Sequence, residues 1–239
     1  MAGKTLTLIE HINELKSCII RCVLFSIVAC ISCYVYSNDI VKYVTDMLLP
    51  FKGHYSLVSL SVGQTFITYL KISMMCGIAL STPVYMLETY GFLSHGLTKK
   101  ESKIMFLFFI AFVALFLLGS IVLYYAVLPQ ALEFLFKYQQ SRSVEIMMQL
   151  SIDDYVGFVV GSALSFGVAF QIPLLISGLV LAKVITPDQL RKIRRYVVVV
   201  IFIVAAIITP PDIPSQIILG LLLMILYEIT ILIAARLIK

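Results

Sequence analysis

Charge is what this chain has least of: 13% of its 239 residues are Asp, Glu, Lys or Arg, against 61% hydrophobic, and the mean hydropathy is +1.02. A soluble globular surface cannot be built from that composition, so the chain reads as a polytopic membrane protein. No stretch between the apolar blocks is long enough for an aqueous domain, and one integral domain over 1–239 is expected. Histidine is also scarce. His11, His54 and His95 lie far apart outside the apolar blocks, with no carboxylate spaced to complete a ligand set, so neither a metal nor a cofactor is expected. Nor is a nucleic-acid partner. The five cysteines, Cys18, Cys22, Cys30, Cys33 and Cys76, all fall inside apolar blocks, where Cys30-x-x-Cys33 reads as small packing residues rather than a redox pair. The first block begins near Cys18, follows Glu10 and Glu14 and lacks a small-residue cleavage site, so it is expected to be a retained span.

What is present is a series of apolar runs cut by prolines and charges. They predict an all-α fold with helices at 18–36, 65–90, 104–128, 155–182, 196–209 and 213–235. Six spans put both termini on one side. That side collects Lys4, Lys16, Lys99, Lys100, Lys103, Lys183, Arg191, Lys192, Arg194, Arg195, Arg236 and Lys239, whereas the opposite loops hold Lys42, Lys52, Lys137 and Arg142. Positive residues mark the cytoplasmic side, so both termini are expected inside.

The fifth run, Tyr196 to Ile208, spans thirteen residues between the cluster Arg191, Lys192, Arg194, Arg195 and the breaker Thr209-Pro210-Pro211-Asp212. At about 1.5 Å per residue it reaches roughly 20 Å, against about 30 Å of hydrocarbon. If Glu228 stays at the interface, the apolar part of the sixth helix is short as well, from Ile213 to Tyr227. Two stunted neighbours would thin the bilayer locally. Pro210, Pro211 and Asp212 close them into a tight hairpin, with Asp212 placed to cap the last helix.

The first two outer connections look ordered. Asn38 to Leu49 has helical apolar spacing and stops at Pro50, and Pro129 to Tyr138 repeats the pattern, so both are expected to lie on the outer face or cap a concavity. The fourth span carries Gly157, Gly161, Ser165 and Ala169 at four-residue spacing, which suits close helix packing. Further along, Gln171 sits two residues before Pro173, so a kink and a mid-membrane amide are expected together.

Several ordered motifs then carry a resemblance. His11-Ile12-Asn13-Glu14-Leu15-Lys16 lies near the start, Ser81-Thr82-Pro83-Val84 lies in the second span, and Gly91-Phe92-Leu93 precedes a loop with Lys100-Glu101. Phe166 to Pro173, Thr186-Pro187-Asp188-Gln189-Leu190-Arg191-Lys192, Arg195-Tyr196 and Ile208 to Asp212 with Ser215-Gln216 follow in order. Across essentially its whole length the chain resembles the TatC family, the core subunit of twin-arginine protein translocases. The resemblance implies a receptor for the paired-arginine signal peptides of folded cargo, working in the bacterial inner membrane with the single-span TatA and TatB. It further implies a curved, glove-like helical wall, embedded in lipid and assembled as a homo-oligomer within a larger complex, driven by the proton gradient and without a catalytic step.

By the same resemblance Glu14 and Glu101 receive the arginines, near Lys16 and Phe92, while Gln171 and Pro173 meet a partner helix. Pro50, Pro83, Pro210, Pro211 and Asp212 would be structural. A guanidinium fork accepted by a two-oxygen carboxylate suits that first role. The plainer alternatives are that Glu14 is a solvated charge, that Glu101 screens Lys99, Lys100 and Lys103, and that Gln171 bonds a serine or a freed carbonyl inside the subunit. The family motif usually continues with arginines where Lys16 and Cys18 stand, and Arg21 follows one turn later. Lys71, Glu88 and Glu228 remain as border charges, the last two read as interfacial anchors. A proton-coupled small-solute transporter is the runner-up, but the two halves show no inverted repeat.

Overall fold

The computed structural model describes residues 8–51, 53, 55–94, 99–140, 148–209 and 213–237, with the side chains of 8–11, 93–94, 99–101, 139–140, 148 and 236–237 outside the description. Expectations placed on Pro210, Pro211, Asp212, His54, His95 and Arg142 therefore fall outside it. Nine α-helices account for most of the described residues: α1 (Leu8–Val35), α2 (Ser37–Asp46), α3 (Gln64–Ser94), α4 (Lys99–Val122), α5 (Leu128–Gln140), α6 (Ile152–Ala169), α7 (Ile172–Leu181), α8 (Pro187–Ile208) and α9 (Ile213–Leu237). Two four-residue strands, β1 (Tyr55–Val58) and β2 (Met148–Ser151), pair in the connections before α3 and α6, a feature the helical patterning does not signal.

Among the described residues five helical stretches are long and apolar enough to cross a membrane: Ile12–Val35, Gln64–Phe92, Ser102–Tyr138, Ile152–Leu181 and Ile213–Ala235. The expected fifth span is missing from that set for the reason its sequence gives. Helix α8 is 22 residues long, yet its first half carries the basic cluster and only the thirteen residues from Tyr196 onward are apolar. Helix α9 runs 25 residues, covering the expected 213–235 and passing through Glu228, whose carboxylate lies 2.6 Å from Arg194 Nε.

The chain divides into two compact units. The first comprises 1–46, 58–113 and 151–160, and its main contact is the seam between α1 and α3. Gly77 makes this seam close, since a Cβ there would lie 2.7 Å from the backbone of Cys30. Helix α3 continues through Pro83, with Ser81 Oγ donating to the Gly77 carbonyl at 2.7 Å. Hydroxyls of this kind keep polar groups paired inside the helix where lipid offers no partner.

The second unit comprises 47–57, 114–150 and 161–239. Its core gathers Leu123, Phe166, Phe170, Ala205, Leu219 and Tyr227, each at most 2% exposed. Helix α4 does not stop before Pro129 as expected but passes through a π-turn, Leu123–Val127, into α5. The Leu128 N–H donates to the Leu123 carbonyl, five residues back, and this widened turn lets the rod absorb a proline whose ring would clash with a tight one. Within this unit a cavity of about 480 Å³ is lined by Met47, Pro50 and Phe51 on one side and Pro129, Glu133, Phe136 and Lys137 on the other.

Candidate functional site

Glu14, Cys18 and Arg21 fall at helical spacing on one face of α1, with Cys18 buried and Glu14 half-buried, whereas Lys16 points away and is exposed. Across the seam the antiparallel register is fixed by contacts. Cys30 packs on Gly77, Ser26 Oγ shares a hydrogen bond with the Tyr85 hydroxyl, and Arg21 grips Glu88. The next two turns of α1 bring Glu14 level with the last turn of α3, which holds Gly91 and the half-buried Phe92. Helix α4 then begins at Lys99, so Glu101 lies in its first turn. That turn is tied to α3 by the Tyr90 and Ser102 hydroxyls at 2.8 Å, and the following turn by the Tyr90 and Phe106 rings, 6.0 Å apart. The structure thus brings Glu14, Phe92 and the backbone of Glu101 to one end of the first unit, while the Glu101 side chain lies outside the description.

The Arg21–Glu88 pair went unremarked in the sequence as a pair. Arg21 Nε donates to both carboxylate oxygens at 2.8 Å and Nη2 adds a third bond at 2.6 Å. Glu88 is thereby a guanidinium acceptor one helix away from Glu14, and it shows the geometry that a carboxylate on this seam can offer. The signal available was a lone cation in α1 and a lone anion in α3, since charges inside apolar helices need opposite partners.

Gln171 is 6% exposed and sits in the break between α6 and α7. Its own N–H turns to the Val168 carbonyl, three residues back at 2.9 Å, and its side-chain amide Nε2 donates to the Gly167 carbonyl at 3.2 Å. Pro173, buried at the second position of α7, has no N–H to continue the ladder. The expected kink is therefore a true interruption, and the Gln171 amide takes up a carbonyl that the interruption frees. One turn to either side, Val168 and Leu175 are exposed.

The border charges Lys71, Glu88 and Glu228 each have an opposite partner. Lys71 Nζ lies 3.5 Å from Asp153, which also accepts a hydrogen bond from Thr68 Oγ1 at 3.1 Å. Gly157 does not serve a helix crossing here; a Cβ there would meet the Lys71 ammonium at 3.2 Å, so the missing side chain leaves the slot through which Lys71 reaches Asp153. In the second unit, Tyr227 donates its hydroxyl to the Leu190 carbonyl at 2.9 Å beside the Arg194–Glu228 pair. Among the described residues no group of three His, Cys, Asp or Glu side chains converges to hold a metal.

Residues 10–221 match the family described as Sec-independent protein translocase protein (TatC). The chain is similar to the proteins of that description from Rickettsia prowazekii, 34% identical over 94% of this chain and 90% of the relative, and from Escherichia coli K12, 30% identical over 94% and 86%. In solved structures it resembles the crystal structure of the twin-arginine translocase receptor TatC in the detergent DDM, with a TM-score of 0.79, 29% identity, and coverage of 94% of this chain and 99% of that one.

Proposed function

The chain belongs to the TatC family of Sec-independent protein translocase components, and from that premise we propose that it is the receptor for signal peptides bearing paired arginines. Glu14 and Glu101 accept the two guanidinium groups, Phe92 supplies an apolar wall, and Lys16 borders the site. The observation that carries this reading is the convergence of Glu14, Phe92 and the first turn of α4 at one end of the α1–α3 seam. A receptor of that title among its structural neighbours supports it. An isolated exposed pair contributes only about 0–1 kcal/mol, so recognition draws on two carboxylates at a half-desolvated membrane edge, where charge-assisted bidentate bonds are stronger.

The receptor crosses the bacterial inner membrane six times as one integral domain, with both termini in the cytoplasm. It assembles with further copies of itself and with TatA and TatB, and the proton gradient drives transport. A partner helix lies along the exposed Val168–Leu175 stripe beside Gln171 and Pro173. Replacing both acceptors, as Glu14→Gln with Glu101→Gln, is expected to abolish crosslinking of a twin-arginine signal peptide to the purified subunit. Crosslinking at the wild-type level would remove the carboxylates from the site.

A further inference from the structure

Helix α8 has two unlike faces. One, with Leu190, Arg194, Ile201 and Ala205, is turned into the second unit, where Arg194 is neutralised by Glu228. The opposite face carries Arg191, Lys192 and Arg195 in its first half and continues without interruption into Tyr196, Val199, Ile203 and Ile207, all more than half exposed. Only Asp188 offsets those three cations on that face, across a loose 3.3 Å contact with Arg191 in which both side chains are more than half exposed. Arg195 is held in place: its Nη2 donates to the Tyr196 hydroxyl at 2.8 Å, and its guanidinium carbon lies 4.7 Å from the centre of the Tyr196 ring. That contact anchors a guanidinium at the level where the apolar run begins.

We infer that Arg191, Lys192 and Arg195 form a binding site for the phosphate of an anionic phospholipid, whose acyl chains lie along Tyr196, Val199, Ile203 and Ile207. The surface selects an amphiphile. A soluble anion would use the cations but gain nothing from the apolar half, and an acidic peptide segment would leave that half in contact with its polar backbone. A negative headgroup joined to hydrocarbon matches both halves in the order in which α8 presents them, and basic clusters at the end of a membrane helix attract such headgroups. The apolar run of α8 is only thirteen residues long, so a lipid held by its phosphate at one end is also drawn into the region where the hydrocarbon layer must be thin.

The test uses the full chain reconstituted in phosphatidylcholine bilayers, with spin-labelled phosphatidylglycerol and spin-labelled phosphatidylcholine as probes of the motionally restricted lipid at its surface. The wild type is expected to hold the anionic probe severalfold more strongly. Neutralising Lys192 alone (Lys192→Gln) lowers that ratio by up to about fivefold, the factor equivalent to ~1 kcal/mol per basic residue near an anionic surface. The triple Arg191→Gln, Lys192→Gln, Arg195→Gln brings it close to one, and the double Lys192→Gln, Arg195→Gln serves if the triple variant fails to fold. A ratio unchanged by these substitutions overturns the proposal. So does an equal fall on replacing Lys99, Lys100 and Lys103 with Gln, which would reveal a general surface charge. Displacement of the probe by inorganic phosphate at equal concentration would show a free-anion site and overturn the lipid assignment.

Discussion

Gly77 and Gly119 are the residues at which a single methyl group would do most harm. A Cβ on Gly119 would stand 2.7 Å from the Phe166 carbonyl oxygen and 2.9 Å from the Phe170 ring, and one on Gly77 would meet backbone atoms of Cys30. Backbone cannot swing aside as a side chain can, so Gly77→Ala and Gly119→Ala are each expected to cost about 1–3 kcal/mol, the usual range for overpacking. Gly91→Ala, with nothing within 4 Å of the added carbon, is the control that leaves the thermal midpoint in detergent unchanged. Equal midpoints for all three would contradict the close seams. The ion pair of Arg21 and Glu88 makes a second residue-scale prediction. Removing one partner strands a charge among apolar helices, whereas removing both does not, so Glu88→Gln is expected to lower the midpoint more than Arg21→Gln combined with Glu88→Gln. Additive losses in the double variant would show that the two side chains do not act as a pair.

At the level of elements, the start of α8 shows how a local code can be overlooked beside a louder one. The sequence places a helix from residue 196, where the apolar run starts, and leaves 183–195 as a loop. Yet Thr186-Pro187-Asp188-Gln189 spells a capping box with proline in the first helical position, and the structure closes it: Thr186 Oγ1 accepts from the Gln189 N–H at 3.3 Å, and Gln189 Oε1 accepts from the Thr186 N–H at 2.9 Å. Hydrophobicity reports what lies in lipid and is silent about a helix that continues beyond it. Thr186→Ala is expected to cost about 1 kcal/mol and to fray the first turn, measured as faster hydrogen exchange at residues 188–191 with the rest of α8 unaffected. Prolines show the reverse limit. Pro173 follows a break where the sequence predicts only a kink, whereas the helices run on through Pro83 and Pro129, because the outcome depends on whether neighbours can widen a turn or cap a carbonyl, which no proline announces by itself. Gln171 is that neighbour for the α6–α7 break. Its replacement by Leu leaves the Gly167 carbonyl without its amide donor in an apolar setting and is expected to cost about 1–3 kcal/mol. If Gln171 also meets a partner helix, recovery of TatA or TatB falls beyond what Gln171→Asn, which keeps an amide, produces at matched stability.

For the molecule as a whole, the decisive quantity is the number of crossings, since five would put the termini on opposite sides and six on the same side. The five unambiguous spans omit α8, whose apolar run falls some 10 Å short of a normal hydrocarbon layer at about 1.5 Å per residue. Mismatch costs only fractions of a kcal/mol per Å, so if α8 crosses, a shortfall of that size amounts to a few kcal/mol that local thinning would meet. The alternative costs more. If α8 stayed on the inner surface, α9 would begin inside and deliver Arg236 and Lys239 to the outside, against the distribution of every other basic cluster, while Tyr196 to Ile208 would forgo burial of its apolar surface. Crossing is therefore favoured. In a chain whose five native cysteines are replaced, Asp212→Cys is expected to react with a membrane-impermeant maleimide added from outside intact cells, and Ser102→Cys only after the cells are opened. Labelling of Asp212→Cys from the inside alone would mean that α8 turns back without crossing, and it would place the C-terminus on the other face from Glu14.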